Sequence, residues 1–220
     1  MKKRMLLAAL AASALMAGGA EAATIFSQNF NGGLGGNESV GGNFAVGDGN
    51  VGHQTTYYSN DEYSYYQVRL DLTQALDALL VFDFDILSEH TWDGFNLAYS
   101  TDGTFSRDNL LMPMTAGLYD RFQGRANTLL GAQGISGQAK GRGMFDLNAF
   151  AGQVVDIRFQ FASDRGVIGQ GVAIDNLVVT GTVPSAVPEP ATWALMIAGF
   201  GMAGGAIRAR RRVGELQTAG

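Results

Sequence analysis

Leu79-Leu80-Val81-Phe82-Asp83-Phe84-Asp85-Ile86 decides the fold class. Leu80, Phe82, Phe84 and Ile86 alternate with Val81, Asp83 and Asp85. That is the period-2 pattern of a strand with one face on a core and one face wet. The same alternation recurs on either side. Tyr66, Val68, Leu70 and Leu72 share one phase of Ser64–Leu72, and Phe95, Leu97 and Tyr99 alternate with Asn96, Ala98 and Ser100. Further on, Val155, Ile157, Phe159 and Phe161 alternate with Asp156, Arg158 and Gln160. Gly171–Thr180 reads as the closing strand and Thr24–Phe30 as the first. No long stretch has helical period. Several strands of this kind with glycine turns predict an all-β protein, a single β-sandwich or jelly roll.

Less regular stretches surround these strands. Residues 31–52 are glycine-rich and lack the strand–Lys–Ser context of a phosphate loop, so they read as loop. Ser100-Thr101-Asp102-Gly103 reads as a turn. Phe105–Gly143 is mixed, with room for loops and two short strands, and Asp146–Gly152 reads as a short helical turn or the start of a strand. Residues 24–183 hold 17 acidic and 8 basic residues, a net charge of −9. This excludes nucleic acid and anionic lipid as natural partners and is compatible with cations. There is no cysteine, so no disulfide supports the domain.

Two segments frame this body. Lys2, Lys3 and Arg4 precede an apolar run, Met5–Met16, and the small-residue stretch Ala17–Ala23. Ala20-Glu21-Ala22 has the small-x-small form of a signal-peptidase site, with cleavage after Ala22. Residues 1–22 are therefore expected to be a signal peptide read by the Sec machinery and removed by signal peptidase. At the other end, Pro188-Glu189-Pro190 is followed by an uncharged apolar run of 17 residues, Ala191–Ile207, and then by Arg208, Arg210, Arg211 and Arg212. The run is at the short end of what spans a bilayer. The arginines would stay on the cytoplasmic side, and Trp193 suits the opposite lipid–water boundary. The expected organisation is a signal peptide (1–22), a sandwich (23–183), a linker (184–187), a transmembrane-like sorting segment (188–212) and a short tail (213–220).

The tail resembles the PEP-CTERM protein-sorting signal through Pro188-Glu189-Pro190, Trp193-Ala194, Gly199-Phe200-Gly201 and the arginine cluster. The resemblance implies a bacterial host with an exosortase that processes the tail. It also implies transient residence in the inner membrane, then a cell-surface or extracellular-matrix destination alongside exopolysaccharide or biofilm. The eight residues after Arg212 make the ending longer than is usual for the signal. Within the body, Tyr99-Ser100-Thr101-Asp102-Gly103, Phe145–Val154 and Ile174-Asp175-Asn176-Leu177 resemble jelly-roll modules found beside secreted enzymes. Gln160-Phe161-Ala162-Ser163-Asp164 resembles the Q-F-x-x-D signature of one PEP-CTERM subfamily.

Chemistry-bearing candidates in the body are few, and the reading is of a protein without catalytic activity and without a required cofactor. Asp175 shares strand phase with Ala173, Leu177 and Val179, which would aim a carboxylate at the apolar side, where it needs a partner. Related jelly rolls place a structural calcium at such a position, which suits oxygen ligands such as Asn29, Asn31 or a main-chain carbonyl. A hydrogen-bonded aspartate near a strand end, or a strand buried on both faces, fits the same pattern. Asp83 and Asp85 alternate with core residues and read as a solvated face rather than a glycosidase pair. His53 and His90 lie near no nucleophile motif and read as loop residues. Tyr57, Tyr58, Tyr63, Tyr65, Tyr66 and Trp92 would suit a sugar-stacking platform, although aromatics in strands are more often core or cross-strand pairs. A carbohydrate-binding module for the cell's own exopolysaccharide is the alternative function, and a secreted hydrolase a weaker one.

Overall fold

In a computed structural model, residues 20–55, 57–123, 130–184 and 190–216 are described. The strands are β1 (Ala20–Gln28), β2 (Glu38–Gly41), β3 (Phe44–Gly47), β4 (Asn50–His53), β5 (Tyr63–Asp71), β6 (Leu76–Leu87), β7 (Gly94–Ser100), β8 (Asp120–Arg121), β9 (Gln133–Ser136), β10 (Gln138–Asp146), β11 (Val154–Ala162) and β12 (Gly171–Pro184). A 3₁₀ turn, Asn148–Phe150, precedes β11, and one helix, α1 (Pro190–Leu216), follows β12. The strands form two six-stranded sheets. Sheet A runs β10-β6-β12-β4-β3, with β1 also paired to β12, and sheet B runs β2-β5-β11-β7-β9-β8. The chain is an all-β sandwich with one C-terminal helix. The sandwich is one compact unit, Glu21–Val183, and α1 lies in a second.

The period-2 stretches form the core as their phase requires. Leu80, Phe82, Phe84 and Ile86 on β6 are at most 5% exposed. They meet Phe95 and Leu97 on β7 and Phe159 and Phe161 on β11 from the facing sheet. Phe82 packs edge-on to Phe159 (4.8 Å between ring centroids) and parallel to Phe145 (5.8 Å). Each such ring contributes about 1.5–3 kcal/mol through burial. β5, β11 and β7 pair antiparallel in continuous register, Phe159 lying between Tyr66 and Leu97.

Two glycine-rich stretches depart from expectation. Residues 31–52 hold three short strands, β2, β3 and β4, and β10 runs through Gly141 and Gly143 beside β6 from Leu87 to Leu79. The reason is local. The ring of Phe82 lies over Gly143, directly opposite it, where a Cβ would collide. An aromatic ring covering a glycine restores the packing that the glycine gives up. The last strand also runs beyond Thr180 to Pro184, into what the sequence assigns to the linker. It carries a β-bulge between Asp175 and Val178, with Asn176 at φ 51°.

The segment between β7 and β10 divides: Leu111 and Ile135 join the main core, while Phe122 and Leu130 lie on the outer face of sheet B. Phe122 and Leu130 form a small second cluster with Ala162 and Tyr63.

Candidate functional site

α1 begins at Pro190, whose fixed φ and missing N–H suit a first helical turn. Pro188 and Glu189 lie outside the described residues. Trp193, Leu195, Ile197, Phe200 and Met202 are exposed, as is Arg208, and Arg210, Arg211 and Arg212 lie within the helix. The apolar surface therefore goes round the helix rather than down one side. No helix among the described residues is long and apolar enough to cross a membrane. The apolar run is short, and four glycines weaken it. This departs from the transmembrane character expected of the segment. Ala20 and Ala22 stand at the start of β1, and residues 1–19 lie outside the described residues.

The outer face of sheet A carries a groove of about 700 Å³. Its wall comes from β6 and β10. Arg142 Nε donates to Asp83 Oδ1 at 2.8 Å and Lys140 Nζ to Asp85 Oδ2 at 2.8 Å. Asp83 and Asp85 thus occupy a solvated, ion-paired face, as their alternation with core residues implies. The Arg142 guanidinium holds the Asp83 carboxyl below its ordinary range. Asp175 sits directly opposite Asp83 on β12 and shares its outward face. This corrects the phase argument for a buried Asp175. The bulge resets the alternation, so Ile174 and Leu177 both point inward while Asp175 is only partly buried on the outside. Asn176 Nδ2 reaches Asp83 Oδ2 at 3.0 Å, and Asp48 and Asn50 from the β3–β4 hairpin line the groove's far side.

One end of the sandwich holds a buried polar network that sequence reasoning missed. His53 is no loop residue: it ends β4, is buried, and uses both ring nitrogens. Val172 N donates to Nδ1 at 3.0 Å, which assigns the proton to Nε2, and Nε2 meets Glu62 Oε1 at 2.7 Å. Glu62 also accepts from Ser64 Oγ, Ser59 N and Asn43 Nδ2. Burial alone would raise its carboxyl, but the bonds from His53 and these three groups outweigh it and hold it at about 2. Nearby, Asp93 accepts from Tyr58 Oη (2.7 Å) and Asp164 N (2.7 Å). Burial, helped by the charges of Asp164 and Glu89, pushes it up to about 6. The carboxylates of Glu89, Asp93 and Asp164 lie within 4.8 Å of one another, an oxygen-only set of the kind hard cations take. His90 is exposed, 3.6 Å from Asp120.

The six aromatics do not form one platform. Tyr58 and Tyr66 are in the core, and Tyr63 and Tyr65 lie partly buried on sheet B. There the guanidinium of Arg158 stacks over Tyr65 at 4.2 Å and over Phe105 at 3.7 Å. Tyr57 and Trp92 are exposed on separate loops. The only signal for the buried network was the coincidence of polar residues with strand ends, which many solvated turns share.

Among solved structures, the chain is similar to the K3 cleaved adhesin domain of Lys-gingipain from Porphyromonas gingivalis W83 (15% identity, TM-score 0.44, covering 73% of this chain and 99% of that one). It is also similar to the CBM2 module of the evolved Dit of Lactobacillus casei BL23 phage J-1 (7%, TM-score 0.43, 76% and 99%). A third is the mannan-recognising carbohydrate-binding module TmCBM27 (12%, TM-score 0.36, 73% and 98%). No curated protein matches the chain. Its C-terminal region is specific where the body is not: residues 186–212 match the PEP-CTERM protein-sorting motif, and the chain carries that sorting signal.

Proposed function

We propose that this is an exported, non-catalytic surface or extracellular-matrix protein, processed at its PEP-CTERM signal by an exosortase. The match over residues 186–212 carries the reading. A signal peptide cleaved after Ala22 delivers the body across the inner membrane. Pro188-Glu189-Pro190 marks the processing region, and α1 with Arg208, Arg210, Arg211 and Arg212 holds the precursor at the membrane. Both nitrogens of His53 are taken up in structural hydrogen bonds, which argues against that histidine as a base. Replacing Pro188-Glu189-Pro190 by three alanines is expected to leave export intact and to trap the full-length form in the envelope. Normal tail processing on an immunoblot of that variant would overturn the sorting assignment.

A second reading, a module that holds the cell's own exopolysaccharide, is favoured by the polar groove on sheet A. A structural calcium at Asp175 remains part of the proposal; the oxygen donors that the fold gathers, Glu89, Asp93 and Asp164, are a different set.

A further inference from the structure

The register across sheet A makes the groove more than a surface irregularity. Lys140, Asp85, Ala173, Gly52 and Ala45 are cross-strand neighbours on β10, β6, β12, β4 and β3. One end of this row carries an ion pair, and the other three positions are small. A second row, Arg142, Asp83 and Asp175, stands beside it. The floor is therefore low where the wall is polar. A further depression of about 310 Å³ shares Asp85 and Ala173 and adds Thr55 and Gln170, which lengthens the trough.

The chemistry of the wall narrows the ligand. Carboxylates accept two hydrogen bonds side by side, and guanidinium and ammonium groups donate, so each ion pair offers both roles to neighbouring hydroxyls. The side chains are already held by one another on rigid strands, so little ordering remains to be lost on binding. The one aromatic residue in its lining, Phe84, is buried, and the side chains that stand out from the strands are carboxylates, an ammonium and a guanidinium. Asp83 and Asp85 are neutralised by Arg142 and Lys140, while Asp48 and Asp175 form no ion pair among the described residues. The groove is net negative and repels acidic polymers.

We propose that the trough on the outer face of sheet A binds a non-acidic glycan chain through its hydroxyl groups. This rests on the module reading above and gives that reading a site and a ligand class. Asp175 receives the ligand's hydroxyl donors, and Ala173 leaves room for the chain.

The test is affinity electrophoresis of the full-length chain in a polyoxyethylene detergent, which carries no sugar headgroup. The gels contain a neutral β-glucan, a partly de-N-acetylated amino-sugar polymer or a polyuronate. Wild type should be retarded by the glucan or the amino-sugar polymer and not by the polyuronate. Retardation that fades with salt identifies the amino sugar, and retardation that survives salt identifies the neutral chain. Asp175→Asn should weaken binding roughly tenfold without lowering the melting temperature, and Ala173→Phe should abolish it by filling the floor. If Ala173→Phe does not fold, Asp175→Asn decides alone. Retardation by the polyuronate overturns the proposal. Wild-type retardation by Asp175→Asn also overturns it while leaving the module reading standing, and no retardation of wild type by any polymer overturns both.

Discussion

On the outer face of sheet B, Asn96, Ala98, Ser100, Gln160 and Ala162 are all buried. On the outer face of sheet A, the side chains of Asp85, Lys140 and Arg142 are 56%, 79% and 63% exposed. Both faces are polar in sequence, yet one is roofed and the other open. Under the roof, Asn96 Nδ2 donates to Leu130 O (2.8 Å) and Gln133 O (2.7 Å), and its Oδ1 accepts from Gln160 Nε2 (2.9 Å). Tyr63 Oη completes the chain by donating to Gln160 Oε1. These groups have exchanged water for one another, and losing one strands the rest. The ion pairs of sheet A remain in water, where such pairs contribute ~0.2–1 kcal/mol each. Polar residues that stability does not require are free to serve recognition, and in this sandwich they cluster on sheet A.

Acid should separate the two situations most strongly. Glu62, buried just before β5 of sheet B, has its carboxyl held at about 2 against an ordinary 4.5. Its contribution is present above pH 4.5 and is lost as pH falls from there towards 2. The amount is on the order of 3 kcal/mol. Chemical denaturation of Glu62→Gln at pH 7, 4 and 2.5 should show lower stability at pH 7 and little of the wild type's further loss in acid. Asp83→Asn, on the open face, should keep the wild-type acid limb. Asp93 works in the opposite sense. Its carboxyl at about 6 lies above the ordinary 3.8, so its ionisation costs stability as pH rises through that window. Asp93→Asn should flatten that part of the profile. An acid limb that persists in Glu62→Gln would assign acid sensitivity to the surface pairs instead.

Side-chain truncation gives the next largest contrast. Asn96→Ala leaves the amide of Gln160 and two main-chain carbonyls without a donor or acceptor under the roof. The expected loss is about 2–3 kcal/mol. Arg142→Ala removes a 2.8 Å charge-assisted bond on the open face and should cost under ~1 kcal/mol. Urea midpoints at constant slope measure both. Equal losses would mean that the sheet A pairs are part of the scaffold.

The same contrast explains what was legible in the sequence. β5, β6, β7 and β11 were visible because their inner faces keep strict alternation, and alternation depends only on the pleat. The sandwich and the sorting signal followed from local pattern. The roof over sheet B did not, because Asn96 and Gln160 look like wet-face residues until Leu130 and Phe122, far away in sequence, cover them. β10 was hidden for a related reason: Gly141 and Gly143 fall at the end of a stretch whose pattern is mixed, and the ring that compensates Gly143 belongs to β6. Asp175 was misread by one bulge, since a single added residue inverts the phase of everything beyond it. His53 ends β4 of sheet A and Glu62 precedes β5 of sheet B, so their bond is made between the two packed sheets, which no local pattern announces.

The smallest expected effect is also the most discriminating. Asp175 and Asp83 are directly opposite on adjacent strands, an arrangement of like charges that costs stability. Arg142 and Asn176 attend to Asp83, while the bond recorded for Asp175 comes from its neighbour, Asn176 N to Asp175 Oδ1 at 2.6 Å. An asparagine keeps that acceptor and removes the repulsion. Asp175→Asn should therefore raise stability by ~0.2–1 kcal/mol, and the gain should shrink with added salt as the repulsion is screened. A structural calcium at Asp175 gives the reverse signs: the variant melts lower than wild type in calcium, and a chelator brings wild type down to the variant. Thermal melts of both chains in calcium, in chelator and at two salt concentrations decide between them. A stabilised variant that no longer holds glycan would mean that the carboxylate is kept at a cost to the fold because the open face uses it.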